Sequence, residues 1–120
     1  MISPSTLRYL ATMVDIYYTF DRKNFLKIVE VGAGYGGQYI CLDIFFKIKN
    51  YFLFDHYLVN KLIKKYLNLF NLKSKYEILS IEEKKNIYNI DLFLSNHAFS
   101  ELNRDLQMMY INKYIKNSKN

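Results

Sequence analysis

The chain has one cysteine, one proline and four glycines among its 120 residues. A lone Cys41 cannot close a disulfide within the chain, and it falls on an apolar helical face where a thiol packs as a small hydrophobe. The expected setting is therefore reducing and cytoplasmic. A single proline alongside 51% hydrophobic residues excludes the composition of a disordered segment. No stretch approaches the roughly 18 consecutive apolar residues that a bilayer-spanning helix needs. Nor does a basic segment lead into an uncharged apolar one as in a secretory leader. The scarcity of glycine is the most informative, because all four lie between Gly32 and Gly37, in "IVEVGAGYGGQYI" (28–40).

With 18% aromatic residues and a length of 120, the chain can bury a core of its own as one domain. The net charge of +6 suggests a polyanionic partner. The lysines are dispersed, however, as Lys47/Lys49, Lys61/Lys64/Lys65, Lys73/Lys75, Lys84/Lys85 and Lys113/Lys116/Lys119, near helix ends or on polar helix faces. They read as solvated surface, and nucleic acid is not the expected partner. The twelve tyrosines mostly recur with Ile and Leu at helical spacing, as core residues do.

Apolar periodicity gives an alternating order of elements. Leu7, Leu10, Ala11, Val14, Tyr17 and Tyr18 predict an opening helix after Ser3-Pro4-Ser5. Phe25 to Val31 is a short branched run that predicts a buried strand. Ile40, Cys41, Ile44, Phe45 and Ile48 predict a helix, Tyr51 to Phe54 a second strand ending at Asp55, and Val59 to Phe70 another helix. A third strand is expected over Tyr76 to Leu79, a short helix opened by a Ser80/Glu83 capping box, a fourth strand over Ile90 to Ser95, and a last helix from Glu101 to Ile115. Strands alternating with helices predict an α/β fold, a parallel sheet covered on both faces in three layers. In such sheets ligands bind beyond the carboxyl ends of the strands. The glycines, Asp55, Asn96 and His97 all follow directly on predicted strands.

Gly32, Gly34 and Gly37 satisfy G-x-G-x-x-G, with Asp55 near the offset of a ribose-binding acid, which would suit a nicotinamide dinucleotide. Gly32, Gly34 and Gly36 equally satisfy G-x-G-x-G with Glu30 two residues ahead. That arrangement resembles the first motif of the S-adenosylmethionine-dependent methyltransferases of Rossmann-like fold. The chemistry separates the two: a pyrophosphate seeks a helix N-terminus, whereas a sulfonium bearing an ammonium favours a nearby acid. The resemblance implies a cofactor cradle of Glu30, Gly32, Gly34, Gly36 and Gly37, with Asp55 accepting from the ribose hydroxyls, and Asn96 either binds the methionine end or caps the turn. Two plainer readings stand beside it. The glycines would serve only to let helix pack on strand, and Asp55 would only cap the next helix.

A second island, "SNHAFSEL" (95–102), is similar to a segment of a group of sugar O-methyltransferases whose members pair it with an E-[IV]-G-A-G-Y-G-G loop, here Glu30 to Gly37. "STLRYL" (5–10) looks like that group's lead-in helix. The resemblance implies one S-adenosylmethionine-binding domain: a lead-in helix in 1–24, a cofactor-binding core in 25–99, and a final helix and tail in 100–120. It implies methyl transfer to a sugar or other small-molecule hydroxyl. The base would come from His97 or Glu101, with His97 otherwise a wall residue and Glu101 a helix-dipole partner. His56 is expected near the adenine or at the surface. No metal-ligand spacing occurs. The family's sheet has about seven strands and only four are expected here, so the chain corresponds either to the cofactor-binding half of a longer or split enzyme or to a truncated reading frame, incomplete or inactive by itself. Its fourth strand would be an apolar edge for a second chain or another copy to cover. A non-catalytic half-domain acting as an interaction subunit is the alternative outside enzymology.

Overall fold

The structure, a computed structural model, describes residues 3–21, 24–95 and 99–119. Helix α1 spans Pro4–Phe20; Ser3 Oγ caps it by accepting from the Thr6 amide at 3.1 Å, and Pro4 occupies its first turn, where no amide hydrogen is needed. It ends at Asp21, whose left-handed backbone (φ 47°) returns its N–H to the Tyr17 carbonyl. The buried face differs from the expected one. Met13, Ile16, Tyr17 and Phe20 face the core, while Leu7, Val14 and Tyr18 are exposed. Both rows of apolar residues recur with helical spacing, so periodicity alone does not choose between them.

Strands β1 (Asn24–Val31), β2 (Lys47–Asp55), β3 (Lys75–Ser80) and β4 (Leu92–Ser95) form one parallel sheet in the order β3-β2-β1-β4. Central β1 is the most enclosed, with Ile28, Val29 and Val31 wholly buried. Register sets Glu30 opposite Leu53 and Leu94, and Val31 opposite Phe54 and Ser95, so the tips of β1, β2 and β4 lie side by side. Helices α1, α2 (Gly37–Phe45) and α3 (Tyr57–Leu67) cover one face, packing Ile16, Tyr39, Leu42, Ile63 and Leu67 on Ile28, Tyr51 and Leu53. Tyr110 and Tyr114 cover the other face, against Val29, Val31, Phe54 and Leu79. They belong to α4 (Arg104–Tyr110) and the π-helical turn Ile111–Ile115 that continues it. Their hydroxyls donate to the carbonyls of Ile81 (2.6 Å) and Lys85 (2.7 Å).

Several predicted elements differ, and α3 stops at Leu67 rather than Phe70. Ile48 belongs to β2, because α2 stops at Phe45 and Phe46 is already extended. The capping box at Ser80 makes half its bonds, with Glu83 Oε1 accepting from the Ser80 amide at 2.8 Å, yet no helix follows. Ile81 and Ile87 are both buried on the α4 side, and a helix would turn residues six apart onto different faces. The last helix is broken: a 3₁₀ turn at Phe99–Glu101 precedes Asn103, which caps α4 by accepting from the Leu106 amide at 2.9 Å. The fourth strand starts at Leu92, with Ile90 instead forming a parallel bridge to Ser118. Cys41 is half-buried rather than enclosed, and that burial raises its thiol pKa. As expected, β4 is an edge strand.

Candidate functional site

The tip of β1 runs into the glycine loop, and β2 anchors it. The amides of Gly32 and Ala33 both donate to the Phe54 carbonyl (2.8 and 3.3 Å), and the Gly34 amide donates to Asp55 Oδ2 at 2.8 Å. Gly32, Gly34 and Gly36 sit at φ 79°, 58° and 89°, where a side chain is disfavoured. Their surroundings assign different duties. A Cβ on Gly34 would meet nothing within 4 Å, so this residue faces open space. A Cβ on Gly37 would lie 2.3 Å from the Tyr9 ring, so this residue exists for the packing of α1 on α2. One on Gly36 would press on Leu67 of α3 at 2.9 Å. The packing interpretation thus describes Gly36 and Gly37 and leaves Gly34 unexplained.

Asp55 does not cap α3. His56 occupies that position, without a side-chain cap, and its amide donates to Asp55 Oδ1 at 2.7 Å. Each oxygen of Asp55 keeps further acceptor capacity, as a ribose diol would require. Glu30 points from β1 toward the α1–α3 layer and is only 2% exposed. Its Oε1 accepts from the Tyr51 hydroxyl at 2.6 Å. Burial raises the Glu30 carboxyl to about 7, the Tyr51 bond opposing and the Asp55 charge assisting. Tyr9 is raised to about 12 by burial and by its hydrogen bond with Tyr35, with the charge of Glu30 adding to both. Tyr35, from the glycine loop, packs edge-on against Tyr9 and Tyr66.

Glu101 is exposed on the 3₁₀ turn beyond β4, one turn from where Ser95 Oγ accepts from the Phe99 amide at 2.9 Å. His56 is exposed beside Asp55. Asn96 and His97 lie outside the described residues. Two further residues were not singled out from sequence. Tyr51 pairs with Ile28, two positions before Glu30 and so on its face of the sheet; a phenol inside an otherwise apolar strand was the available signal. Asn60 of α3 ties the tips of β2 and β3 together by donating to the carbonyls of Asp55 (3.2 Å) and Leu79 (2.9 Å). Among the described residues no group of three or more His, Cys, Asp or Glu is placed to hold a metal.

The ends of the sheet differ in charge. Glu30, Asp55, Glu82 and Glu83 gather at or just beyond the strand tips, although the chain as a whole is basic. The opposite end holds a cavity of about 680 Å³ rimmed by Lys47, Lys49, Lys73 and Lys119, with one acid, Asp91, paired to Lys119 at 3.2 Å.

Neither a family model nor a curated protein sequence matches the chain. Solved structures do match it. An S-adenosylmethionine-dependent methyltransferase from Clostridium acetobutylicum superposes with a TM-score of 0.69 at 12% identity, over 98% of this chain and 47% of its own. A candidate methyltransferase of the same cofactor class from Methanococcus maripaludis gives 0.69 at 18%, over 88% and 49%. The precorrin-8w decarboxylase of Methanobacterium thermoautotrophicum gives 0.63 at 17%, over 86% and 56%. The chain spans about half the length of these structures. At such identities the likeness is one of fold, and the fold is that of the Rossmann-like methyltransferases.

Proposed function

We propose that the chain is an S-adenosylmethionine-binding domain of a methyltransferase. The observation that supports this most directly is the Gly34–Asp55 bond. It presents a loop position without a side chain, open to an incoming ligand, next to a carboxylate able to accept a ribose diol and close to a second, buried acid. Acids gathered at the strand tips suit a cationic ligand better than a pyrophosphate, which weighs against the dinucleotide alternative.

Glu30, Gly32, Gly34 and Asp55 are the residues we assign to contact with the cofactor, with Asn96 on the methionine side, while Gly36 and Gly37 let α3 and α1 close on the loop. S-adenosylmethionine supplies an activated methyl group open to in-line displacement. The protein's part is to align an acceptor oxygen and remove its proton. Glu101 and His97, following β4, are our candidates for that base, and the acceptor we propose is a small-molecule hydroxyl, a sugar among the possibilities. Among the described residues no helix is long and apolar enough to cross a membrane. Because β4 is an edge strand, we further propose that a second chain or copy covers it.

Isothermal titration with S-adenosylhomocysteine and with NAD tests the reading. Binding of the first and not the second is expected. Tight NAD binding alone would overturn it in favour of an oxidoreductase, and binding of neither in favour of a non-catalytic interaction subunit.

A further inference from the structure

Glu30 is a carboxyl buried on the central strand with no Lys or Arg among the described residues paired to it. The groups around it come from three elements. From β2, Tyr51 donates to its Oε1 at 2.6 Å and Asp55 contributes like charge. From α1, Tyr9 feels its charge, with Arg8 lying 5.9 Å from the Tyr9 ring. From α2, Tyr39 stacks on Tyr51 with ring centroids 4.3 Å apart. An ionised carboxylate in such a place is strongly disfavoured unless a cation joins it, so the empty protein favours the neutral acid. An arriving cation reverses that preference.

We propose that Glu30 is protonated in the ligand-free protein and releases its proton when a cationic ligand, S-adenosylmethionine, enters the site, with Tyr51 as the positioning residue that goes on donating to Oε1. The inference rests on the cofactor assignment above. The proton passes to the buffer, Glu30 becomes the counter-charge of the ligand, and no covalent bond changes. Tyr51 keeps its own proton throughout, since burial first, and the charge of Glu30 after it, hold its phenol well above the usual range. The raised carboxyl of Glu30 places the exchange below about pH 7.

Titration calorimetry of S-adenosylmethionine in buffers of different ionisation enthalpy, at about pH 6, counts the protons released. The expected result is close to one per site, with affinity rising up to about tenfold per pH unit between about pH 5 and 7. Glu30→Gln should abolish both effects. Tyr51→Phe removes the hydrogen bond that favours the charged form and should move the release window to higher pH, a readout that a merely structural tyrosine would not shift. Binding without proton release, or release that survives in Glu30→Gln, overturns the inference while leaving the cofactor assignment intact. Absence of binding in the unsubstituted protein overturns the assignment itself.

Discussion

Asp55 Oδ2 lies 2.8 Å from the Gly34 nitrogen, joining the tip of β2 to the turn that follows β1 across 21 residues of sequence. The same carboxylate accepts from the His56 amide, so one side chain sets both the entry to α3 and the path of the glycine loop. Asp55→Ala should cost about 1.5–3 kcal/mol of stability, the usual worth of hydrogen bonds to a charged group. It should weaken S-adenosylhomocysteine binding more than tenfold. Denaturant unfolding and calorimetry read the two effects separately, and unchanged affinity in a folded variant would remove Asp55 from the site.

The glycines should respond differently to one added methyl group. Gly37→Ala drives a carbon into the Tyr9 ring, and overpacking of that kind costs about 1–3 kcal/mol. Shortening the ring in the double variant Tyr9→Leu/Gly37→Ala should recover part of the loss, because residues in contact are energetically coupled. Gly34→Ala meets no atoms and pays only for its left-handed backbone, about 1–2 kcal/mol. Its larger effect should be on cofactor affinity. A Gly34→Ala variant with full affinity would mean that the open side of the loop is not where the ligand sits.

The raised carboxyl of Glu30 makes stability depend on pH in a definite sense. Between its unfolded value near 4.5 and its folded value of about 7, the folded chain holds a proton that the unfolded chain has lost. Stability attributable to this group therefore falls as pH rises through that window and levels off above it, by roughly 3 kcal/mol in all. Glu30→Gln, which mimics the neutral acid, should flatten that segment of the curve. Urea midpoints measured from about pH 4.5 to 8 provide the check; a wild-type curve parallel to that of Glu30→Gln would place the carboxyl in its ordinary range.

Asp43 offers a prediction away from the site. It is 2% exposed, and its carboxylate accepts from the Lys73 amide (2.7 Å), the Ser74 amide (3.0 Å) and the Ser74 hydroxyl (2.6 Å), fixing the approach to β3. Asp43→Ala removes the acceptor of three part-buried hydrogen bonds to a charged group and should cost about 3 kcal/mol. Cofactor affinity measured well below the melting temperature should change little.

How far the sequence could be read depended on whether local pattern and tertiary contact agreed. The strands were legible because each is a short branched or aromatic run with a clear stop, the glycine loop after Phe25 to Val31 and Asp55 after Tyr51 to Phe54. The glycine loop was legible because backbone geometry restricts which residues fit there. Where two local patterns competed, packing decided. Ile48 continues the apolar spacing of α2, yet it pairs with Phe25 in the sheet. The Ser80–Glu83 pair forms its local bond, but the buried positions Ile81 and Ile87 keep the segment from coiling. Tyr51 and Asp43 escaped notice for a common reason. Their roles depend on groups 21 and about 30 residues away, Glu30 and the Lys73–Ser74 turn, and no motif read from the sequence relates a tyrosine or an aspartate to those partners.

The Ile90–Ser118 bridge has a directional consequence. Just ahead of β4, the Asp91 amide donates to Lys27 on the β1 side, while the Ile90 carbonyl accepts from Lys119 on the other. Residues coming off the π turn are thereby laid down in the same direction as β4, as the first rung of a ladder on its outer flank. A strand that continues this rung along β4 keeps the direction of the four strands already paired, whereas an antiparallel addition would first have to dislodge it.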